Sequence, residues 1–256
     1  MTQQQNLIAS PSERMARKEE KEHQILRFLR DQIWSTPEIL GEVANVKARQ
    51  TIHQTLSRME KQDLITRHHL ESLGGKKTVW GITNHGQICA FDPDADEAPN
   101  QNYFDPSRVA ETTAHHHIGI QKIRLVAEKS GWSNWIDGNT LKASTKDGKR
   151  PDALFTSPSG IRCAIEFERS FKTIKRYEAI LSTYLQTLKQ GDVDGVVWIC
   201  PDLKFKKRLE KIMLGIKKVN VRGQSVLIEP SRHHCKLVFV TINEWPAQDC
   251  LPNNFS

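Results

Sequence analysis

The sequence has few cysteines and no long apolar run, and each absence excludes a class of protein. Its five cysteines are an odd number and include no CxxC pair. That pattern argues against a disulfide framework or a zinc site and predicts reduced thiols in a cytoplasmic protein. Nowhere do about 18 apolar residues follow one another, and the N-terminus has no apolar run long enough for a signal peptide. We therefore expect no membrane insertion.

The charge is unevenly distributed along the 256 residues. The net charge of +7 indicates a polyanionic partner, although this sign is weak on its own. Residues 1–91 and 108–256 are both net basic, whereas residues 92–107 carry five Asp or Glu and no Lys or Arg. The acidic segment also contains prolines and amides without periodicity, which is typical of a linker. The pattern predicts a domain at 13–91, a linker at 92–107 and a second domain at 108–256.

The first domain contains three helical segments followed by two strand-like ones. An amphipathic helix from about residue 13 precedes a short helix capped by Ser35 or Thr36, and a third helix covers residues 47–61. The runs LITRHHL (64–70) and TVWGIT (78–83) flank a turn with two glycines, which predicts a hairpin. This order of elements predicts a winged helix-turn-helix.

Basic and amide side chains lie where such a domain would contact nucleic acid. They occur on the outward face of the third helix and at the tip of the hairpin, and we predict DNA contacts for Lys47, Arg49, Gln50, His53, Gln54, Arg58, Lys76 and Lys77. These side chains suit base edges and phosphates in the major groove. The alternative is a domain that binds protein or only dimerises.

The second domain alternates helices and strands, which predicts an α/β fold around a central sheet. Its helix at 115–131 opens with three histidines, but consecutive helical residues point about 100° apart and cannot all bind one ion. Further along, residues 153–157 and 161–168 flank the turn sequence SPSG and are predicted to pair as a hairpin.

Three carboxylates are predicted to converge at this hairpin. Glu166 and Glu168 share one face of the second strand, because side chains alternate along a strand, and Asp152 enters from the first strand. Such carboxylates repel one another unless a cation joins them, and a hard ion such as Mg²⁺ or Mn²⁺ fits their oxygens. The alternative is the solvated end of an edge strand, with the glutamates paired to Arg162, Arg169 or Lys172.

The helix predicted from Phe171 carries two tyrosines in its apolar stripe. Tyr177 and Tyr184 share the spacing of the leucines there, so packing against the core is a more common role for them than nucleophilic catalysis. Tyr177 nevertheless lies close enough in sequence to reach the edge of the carboxylate cluster. Lys172 and Arg176 form a separate polar stripe, in which Lys172 could offset the charge of a phosphate.

These residues resemble a known nuclease pattern. The Pro-Asp pair at 151–152 followed by Glu166-Phe-Glu168 resembles the PD-(D/E)xK core of restriction-endonuclease-like nucleases, with Glu168 where that pattern usually has lysine. The Glu-x-Glu pair followed by Lys172 and Arg176-Tyr177 is similar to the MobC family of plasmid relaxases and the related replication-relaxation proteins. The resemblance covers about residues 20–200. It implies an N-terminal winged helix-turn-helix and a C-terminal α/β restriction-endonuclease-like domain with a mixed central sheet.

The resemblance also implies an activity and its site. It implies metal-dependent nicking of one strand of double-stranded DNA at a plasmid transfer origin, with an accessory mobilisation or coupling protein as a further partner. The ion would be Mg²⁺ or Mn²⁺ held by Asp152, Glu166 and Glu168, and Lys172 would take the role of the displaced lysine. The family carries a histidine on the helix before the core, and among the three adjacent histidines of this sequence His116 matches it best. The candidate catalytic residues are Asp152, Glu166, Glu168, Lys172, Arg176, Tyr177 and His116.

Two other functions fit the same pattern. One is a PD-(D/E)xK-type endonuclease of restriction or transposition, which would cut both strands. The other is a non-catalytic winged-helix regulator of replication or transcription, whose second domain only dimerises or binds.

Overall fold

The computed structural model describes residues 10–71, 75–94, 96, 100–141, 150–221 and 223–246. The chain divides into two compact units, Met1–Gln121 and Lys122–Ser256. The described part is a mixed α/β protein with eight α-helices and a mixed five-stranded sheet. The domain bounds predicted from the sequence, 13–91 and 108–256 with a linker at 92–107, stay a prediction.

The first unit begins with helices whose starts are set by capping side chains. Ser10 and Glu13 form a reciprocal capping box, so the first helix begins at Pro11, and Thr36 caps the second helix, as predicted. The elements are α1 (Pro11–Gln32), β1 (Trp34–Ser35), α2 (Pro37–Val43), α3 (Arg49–Lys61), β2 (Ile65–Leu70), β3 (Lys77–Ile82) and α4 (Asn84–Cys89).

The three strands of this unit form a small antiparallel sheet of order β1-β3-β2. In the β2–β3 hairpin, Ile65 lies opposite Ile82 and Leu70 lies opposite Lys77. This pairing confirms the predicted hairpin.

The described part of the predicted linker packs against the first unit. Phe104 is buried with Trp34 and Val79, and its backbone N–H donates to the Ile82 carbonyl at 2.9 Å. Asp96 forms ion pairs with Arg27 and Arg30. A short 3-10 turn, Pro106–Arg108, leads on towards α5 (Glu111–Lys129), and the boundary between the two units falls within α5.

The second unit is built around the five-stranded sheet. After α5, its elements are β4 (Ser133–Asp137), β5 (Ala153–Thr156), β6 (Arg162–Phe167), α6 (Ile174–Gln190), β7 (Gly195–Cys200), α7 (Leu203–Gly215), β8 (Lys218–Val221), β9 (Gln224–Leu227), α8 (Pro230–His233) and β10 (Leu237–Thr241). The sheet order is β10-β7-β6-β5-β4. The β10, β7 and β6 strands are parallel, whereas β5 is antiparallel to both β6 and β4.

Strand β6 is the middle strand of this sheet. Its pairing with β5, with Phe155 opposite Cys163, confirms the predicted hairpin. The idea of an edge strand is wrong, because β6 has a neighbour on both sides. The face that carries Ala164 packs against Tyr177, Leu181 and Tyr184 of α6, so this face is also part of the core.

Helix α6 begins three residues later than predicted. Thr173 has an extended backbone, and its side-chain hydroxyl accepts the Arg176 N–H at 3.3 Å, so the first helical residue is Ile174. Lys172 therefore lies in the loop before the helix. Ile174 is exposed, whereas Tyr177 and Tyr184 are buried as predicted.

The cysteines that the structure describes form no disulfide bond. Cys89, Cys163, Cys200 and Cys235 are free thiols, and burial raises the pKa of both Cys163 and Cys200 to about 12. In the part of the chain that the structure describes, no helix is long and apolar enough to cross a membrane.

Candidate functional site

The three predicted carboxylates lie at one end of the β5–β6 hairpin. Asp152 immediately precedes β5, whereas Glu166 and Glu168 lie at the end of the antiparallel β6. Backbone hydrogen bonds hold this end in place, because the Asp152 N–H donates to the Ile165 carbonyl at 3.0 Å and the Asp152 carboxylate accepts the Phe167 N–H at 2.7 Å.

Glu166 is buried beneath α6. It is only 2% exposed, and the Tyr184 hydroxyl donates to its carboxylate. Both faces of β6 are covered, because residues 163–167 are all buried. A buried carboxylate needs such a donor, since its charge has lost its water.

The negative charges of the carboxylates act on the Tyr184 hydroxyl. Burial raises the pKa of Tyr184 well above its usual range, and the negative charges of Glu166, Asp152 and Glu168 raise it further. Tyr184 stays protonated at neutral pH and serves as a hydrogen-bond donor.

Glu168 is also buried and has a cationic partner. The Lys172 ammonium donates to both oxygens of the Glu168 carboxylate. The Glu168 side chain is 4% exposed, whereas the Lys172 side chain is 33% exposed. The pairing of Glu168 with Lys172, which was part of the alternative interpretation, is thus present at a buried position.

Tyr177 lies beside this ion pair. Its hydroxyl accepts the Lys172 backbone N–H at 3.1 Å, and the Lys172 ammonium lies 6.0 Å from the centre of its ring. Tyr177 is fully buried, and burial raises its pKa to about 12. Its hydroxyl is therefore neutral at physiological pH.

The structure brings five of the seven predicted catalytic residues together: Asp152, Glu166, Glu168, Lys172 and Tyr177. Arg176 is exposed in the first turn of α6. His116 lies on the part of α5 that belongs to the first unit. Its neighbour His117 packs against the Trp34 ring, with the ring centres 4.5 Å apart.

Two features of the site were not predicted. One is the hydrogen bond from Tyr184 to Glu166, for which the signal is a polar side chain within an apolar stripe. The other is an aromatic stack, in which Phe171 lies on Phe205 with ring centres 4.0 Å apart and Arg208 lies 4.4 Å from the centre of the Phe171 ring. The exposed Phe171 lies between Glu168 and Lys172 in sequence.

The carboxylate oxygens are the ligand type that Mg²⁺ and Mn²⁺ prefer. Among the described residues, however, no three His, Cys, Asp or Glu side chains are arranged to hold a metal ion. The carboxylates instead accept hydrogen bonds from the Phe167 N–H, the Tyr184 hydroxyl and the Lys172 ammonium. The donors thus fit a hard cation in type, and a bound cation would compete with Lys172 for Glu168.

The predicted DNA contacts lie on the first unit. Arg49, Gln50 and Gln54 are exposed on α3, where His53 is partly exposed. Lys47 is exposed just before α3 begins, and Lys76 and Lys77 are exposed after the β2–β3 turn. Arg58 is engaged within the unit, because its guanidinium forms an ion pair with Glu22 of α1 at 2.5 Å.

A protein-family comparison covers both sets of residues. The model of the replication-relaxation family matches residues 26–196 of this chain. The chain belongs to the replication-relaxation family. Membership of this family indicates a role in plasmid replication or mobilisation. Comparisons with curated proteins and with solved structures give no significant match.

The replication-relaxation match includes α3, the β2–β3 hairpin, all three carboxylates, Lys172 and Tyr184. Helix α7 and strand β10 lie beyond it.

Proposed function

We propose that this replication-relaxation protein is a MobC-like plasmid mobilisation relaxase that nicks one DNA strand at a transfer origin in a metal-dependent reaction. The observation that carries the proposal is the placement of Asp152, Glu166 and Glu168 at one end of the β5–β6 hairpin, where Tyr184 donates to Glu166 and Lys172 donates to Glu168. Burying the carboxylates of Glu166 and Glu168 costs folding free energy, and a fold retains such a cost most readily where the charges serve a purpose. A phosphodiester-cleaving site is such a purpose.

The proposed fold assignments rest on the order of elements. In the first unit, three helices precede a β-hairpin, as in a winged helix-turn-helix. In the second unit, Asp152 and Glu166 lie at one end of an antiparallel pair of strands and α6 packs on the sheet, as in a restriction-endonuclease-like core. The first unit would hold the duplex, and the second would carry out the nicking.

Each residue of the proposed site has a separate role. Asp152, Glu166 and Glu168 would hold Mg²⁺ or Mn²⁺, which when bound stabilises negative charge on the scissile phosphate. Tyr184 orients the Glu166 carboxylate by donating to it. Lys172 balances the charge of Glu168, and its partly exposed ammonium is available to a phosphate oxygen.

The test is the product formed from a supercoiled plasmid that carries the transfer origin, incubated with protein and Mg²⁺ or Mn²⁺. We expect open-circular plasmid nicked in one strand. Asp152→Asn and Glu166→Gln should each lower the nicking rate about 100-fold or more, because the lost interactions supply several kcal/mol in the transition state. Binding to origin duplex should stay unchanged.

The matched control is Asp192→Asn, which removes the same charge at an exposed position after α6 and should nick like the wild type. Mn²⁺ binding is measured separately from activity: added Mn²⁺ should raise the thermal midpoint of the wild type but not of Asp152→Asn. A linear product would favour a double-strand endonuclease over a relaxase. Wild-type nicking by both carboxylate variants would reject the site.

One observation favours a non-catalytic regulator as the second candidate. Lys172 already donates to both oxygens of Glu168, as in a purely structural ion pair. If that is its only role, Asp152→Asn should leave plasmid mobilisation in cells intact, whereas the relaxase should lose mobilisation while still binding the origin.

A further inference from the structure

Helix α1 extends well beyond the core of the first unit. Its buried apolar residues lie in its second half, where Ile25, Phe28 and Leu29 form one stripe. Side chains three and four residues apart share a face of a helix, so the same stripe continues towards the N-terminus. There it carries Lys21, Lys18, Arg17 and Arg14. One face of α1 thus changes from apolar to cationic where it leaves the core.

The N-terminal half of α1 is stabilised as a helix although it buries little surface. The Ser10 hydroxyl accepts the Glu13 N–H, and the Glu13 carboxylate accepts the Ser10 N–H. Such a capping box stabilises a helix start by about 1 kcal/mol. The helix is therefore maintained over residues 11–24, all of which have exposed or partly exposed side chains.

The four cations line a groove rather than an open surface. The groove has a volume of about 700 Å³, and its other wall includes Gln54 and Arg58 of α3. Among the described residues that line the groove, Glu20 is the one that is acidic. The acidic Glu22 is already paired with Arg58, so the positive charge of the α1 wall is not offset by Glu22.

The dimensions and charge of the groove fit a nucleic-acid backbone. Arg14 and Lys21 are seven residues apart, which is about 10 Å along a helix. One DNA strand advances about 3.4 Å per phosphate along the duplex axis, so this wall spans about three phosphates. The groove is lined on its second wall by the helix whose exposed face is predicted to read the major groove.

We infer that the N-terminal half of α1 is a second DNA-binding element, which holds the phosphate backbone of the duplex next to the segment contacted by α3. This inference rests on the proposed DNA-binding function of the first unit. In this arrangement α1 contacts phosphates and adds affinity that does not depend on the base sequence, through Arg14, Arg17, Lys18 and Lys21. Base recognition stays with α3.

The experiment measures binding of the full chain to a fluorescent origin duplex between 50 and 200 mM salt. The double variant Arg17→Gln/Lys18→Gln should bind about tenfold more weakly. Its plot of log K against log salt concentration should be shallower by about 1.8, because each lost phosphate contact removes about 0.9. The affinity ratio between origin and unrelated duplex should not change, since phosphate contacts carry no sequence information.

The matched control is Lys122→Gln/Lys189→Gln, which removes two exposed cations elsewhere. It should retain the wild-type salt slope, and both double variants should keep the wild-type thermal midpoint. If both double variants show the wild-type slope, the inference is overturned and the DNA-binding function stands. If the wild type does not bind duplex DNA, or a single-stranded RNA of equal length competes better than duplex, both are overturned.

Discussion

Two tyrosine hydroxyls approach the carboxylates from α6, and their hydrogen bonds differ. Tyr184 donates to Glu166, whereas Tyr177 accepts the Lys172 backbone N–H. A nucleophilic hydroxyl must lose its proton and reach a phosphorus atom. Tyr177 is fully buried with a pKa of about 12, so it meets neither requirement in this conformation.

We therefore expect Tyr177→Phe to nick origin plasmid at a rate within about threefold of the wild type, a difference of less than 1 kcal/mol in the barrier. No protein–DNA adduct attached through Tyr177 should survive denaturation. Gel electrophoresis under denaturing conditions measures the adduct. An adduct present in the wild type and missing from Tyr177→Phe would contradict the expectation.

The same variant should change the alkaline stability. The folded pKa of Tyr177 is raised to about 12, above an unfolded value of about 10. Its contribution to stability is complete below pH 10 and is lost as the pH rises towards 12, because the unfolded chain releases the proton first. Between pH 10 and 11, urea unfolding of the wild type should lose up to about 1.4 kcal/mol more than that of Tyr177→Phe.

The sequence was informative about which residues share a face, but not about what covers that face. Alternation along β6 predicted one face for Glu166 and Glu168, and Glu168 lies just beyond the last residue of the strand. The cover depends on β7 and β10 lying parallel to β6 and on the crossover through α6, and these are contacts between distant parts of the chain. For the same reason, the sequence could not decide that Glu166 would pair with Tyr184 and Glu168 with Lys172.

At the scale of elements, β3 and the acidic segment after α4 make an unusually close contact. A Cβ atom added at Gly81 would lie 2.0 Å from the Cγ atom of Phe104. The Phe104 ring therefore occupies the space that any larger residue at position 81 would need.

We expect Gly81→Ala to lower the free energy of unfolding by about 1 to 3 kcal/mol, because it overpacks this contact. Urea unfolding measures the loss. The control is Gly215→Ala at the end of α7, where an added Cβ would meet nothing within 4 Å and no loss is expected. The cost of Phe104→Ala should also be smaller in the Gly81→Ala background than in the wild type, and additive costs would contradict the contact.

The short elements with strong local signals were predicted well. Thr36 capping and the paired strands on either side of the two-glycine turn placed α2 and the β2–β3 hairpin within one or two residues. The start of α6 was missed, because a cap at Thr173 competes with the apolar pattern from which the helix was predicted to begin at Phe171. The burial of Phe104 was not predicted either, because a single buried ring leaves no periodicity in an acidic segment.

At the scale of the whole molecule, cationic surfaces occur in both units. The first unit has the α1 groove and the exposed face of α3, and the second has α7, which carries five Lys or Arg residues within Leu203–Gly215. The acidic cluster belongs to the second unit alone. If the proposed function is correct, affinity for DNA and strand cleavage depend on different side chains.

Removal of divalent metal should therefore separate the two activities. The predicted DNA contacts of the first unit are Lys, Arg, Gln and His side chains, which need no metal to bind phosphates or base edges. With excess EDTA at constant ionic strength, affinity for origin duplex should stay within about twofold of its value in Mg²⁺, a change of less than 1 kcal/mol. Nicking of supercoiled plasmid should stop and resume when excess Mn²⁺ is added.

Asp152→Asn provides the internal comparison for this experiment. In excess Mn²⁺ it should behave like the wild type in EDTA, with full binding and no nicking, because both changes remove the ion from the same carboxylates. A parallel loss of binding in EDTA would instead place the metal in the DNA-binding surface. Nicking that continues in EDTA would mean that Lys172 and the carboxylates act without a divalent ion. The catalytic role would then have to come from the ion pair between Lys172 and Glu168.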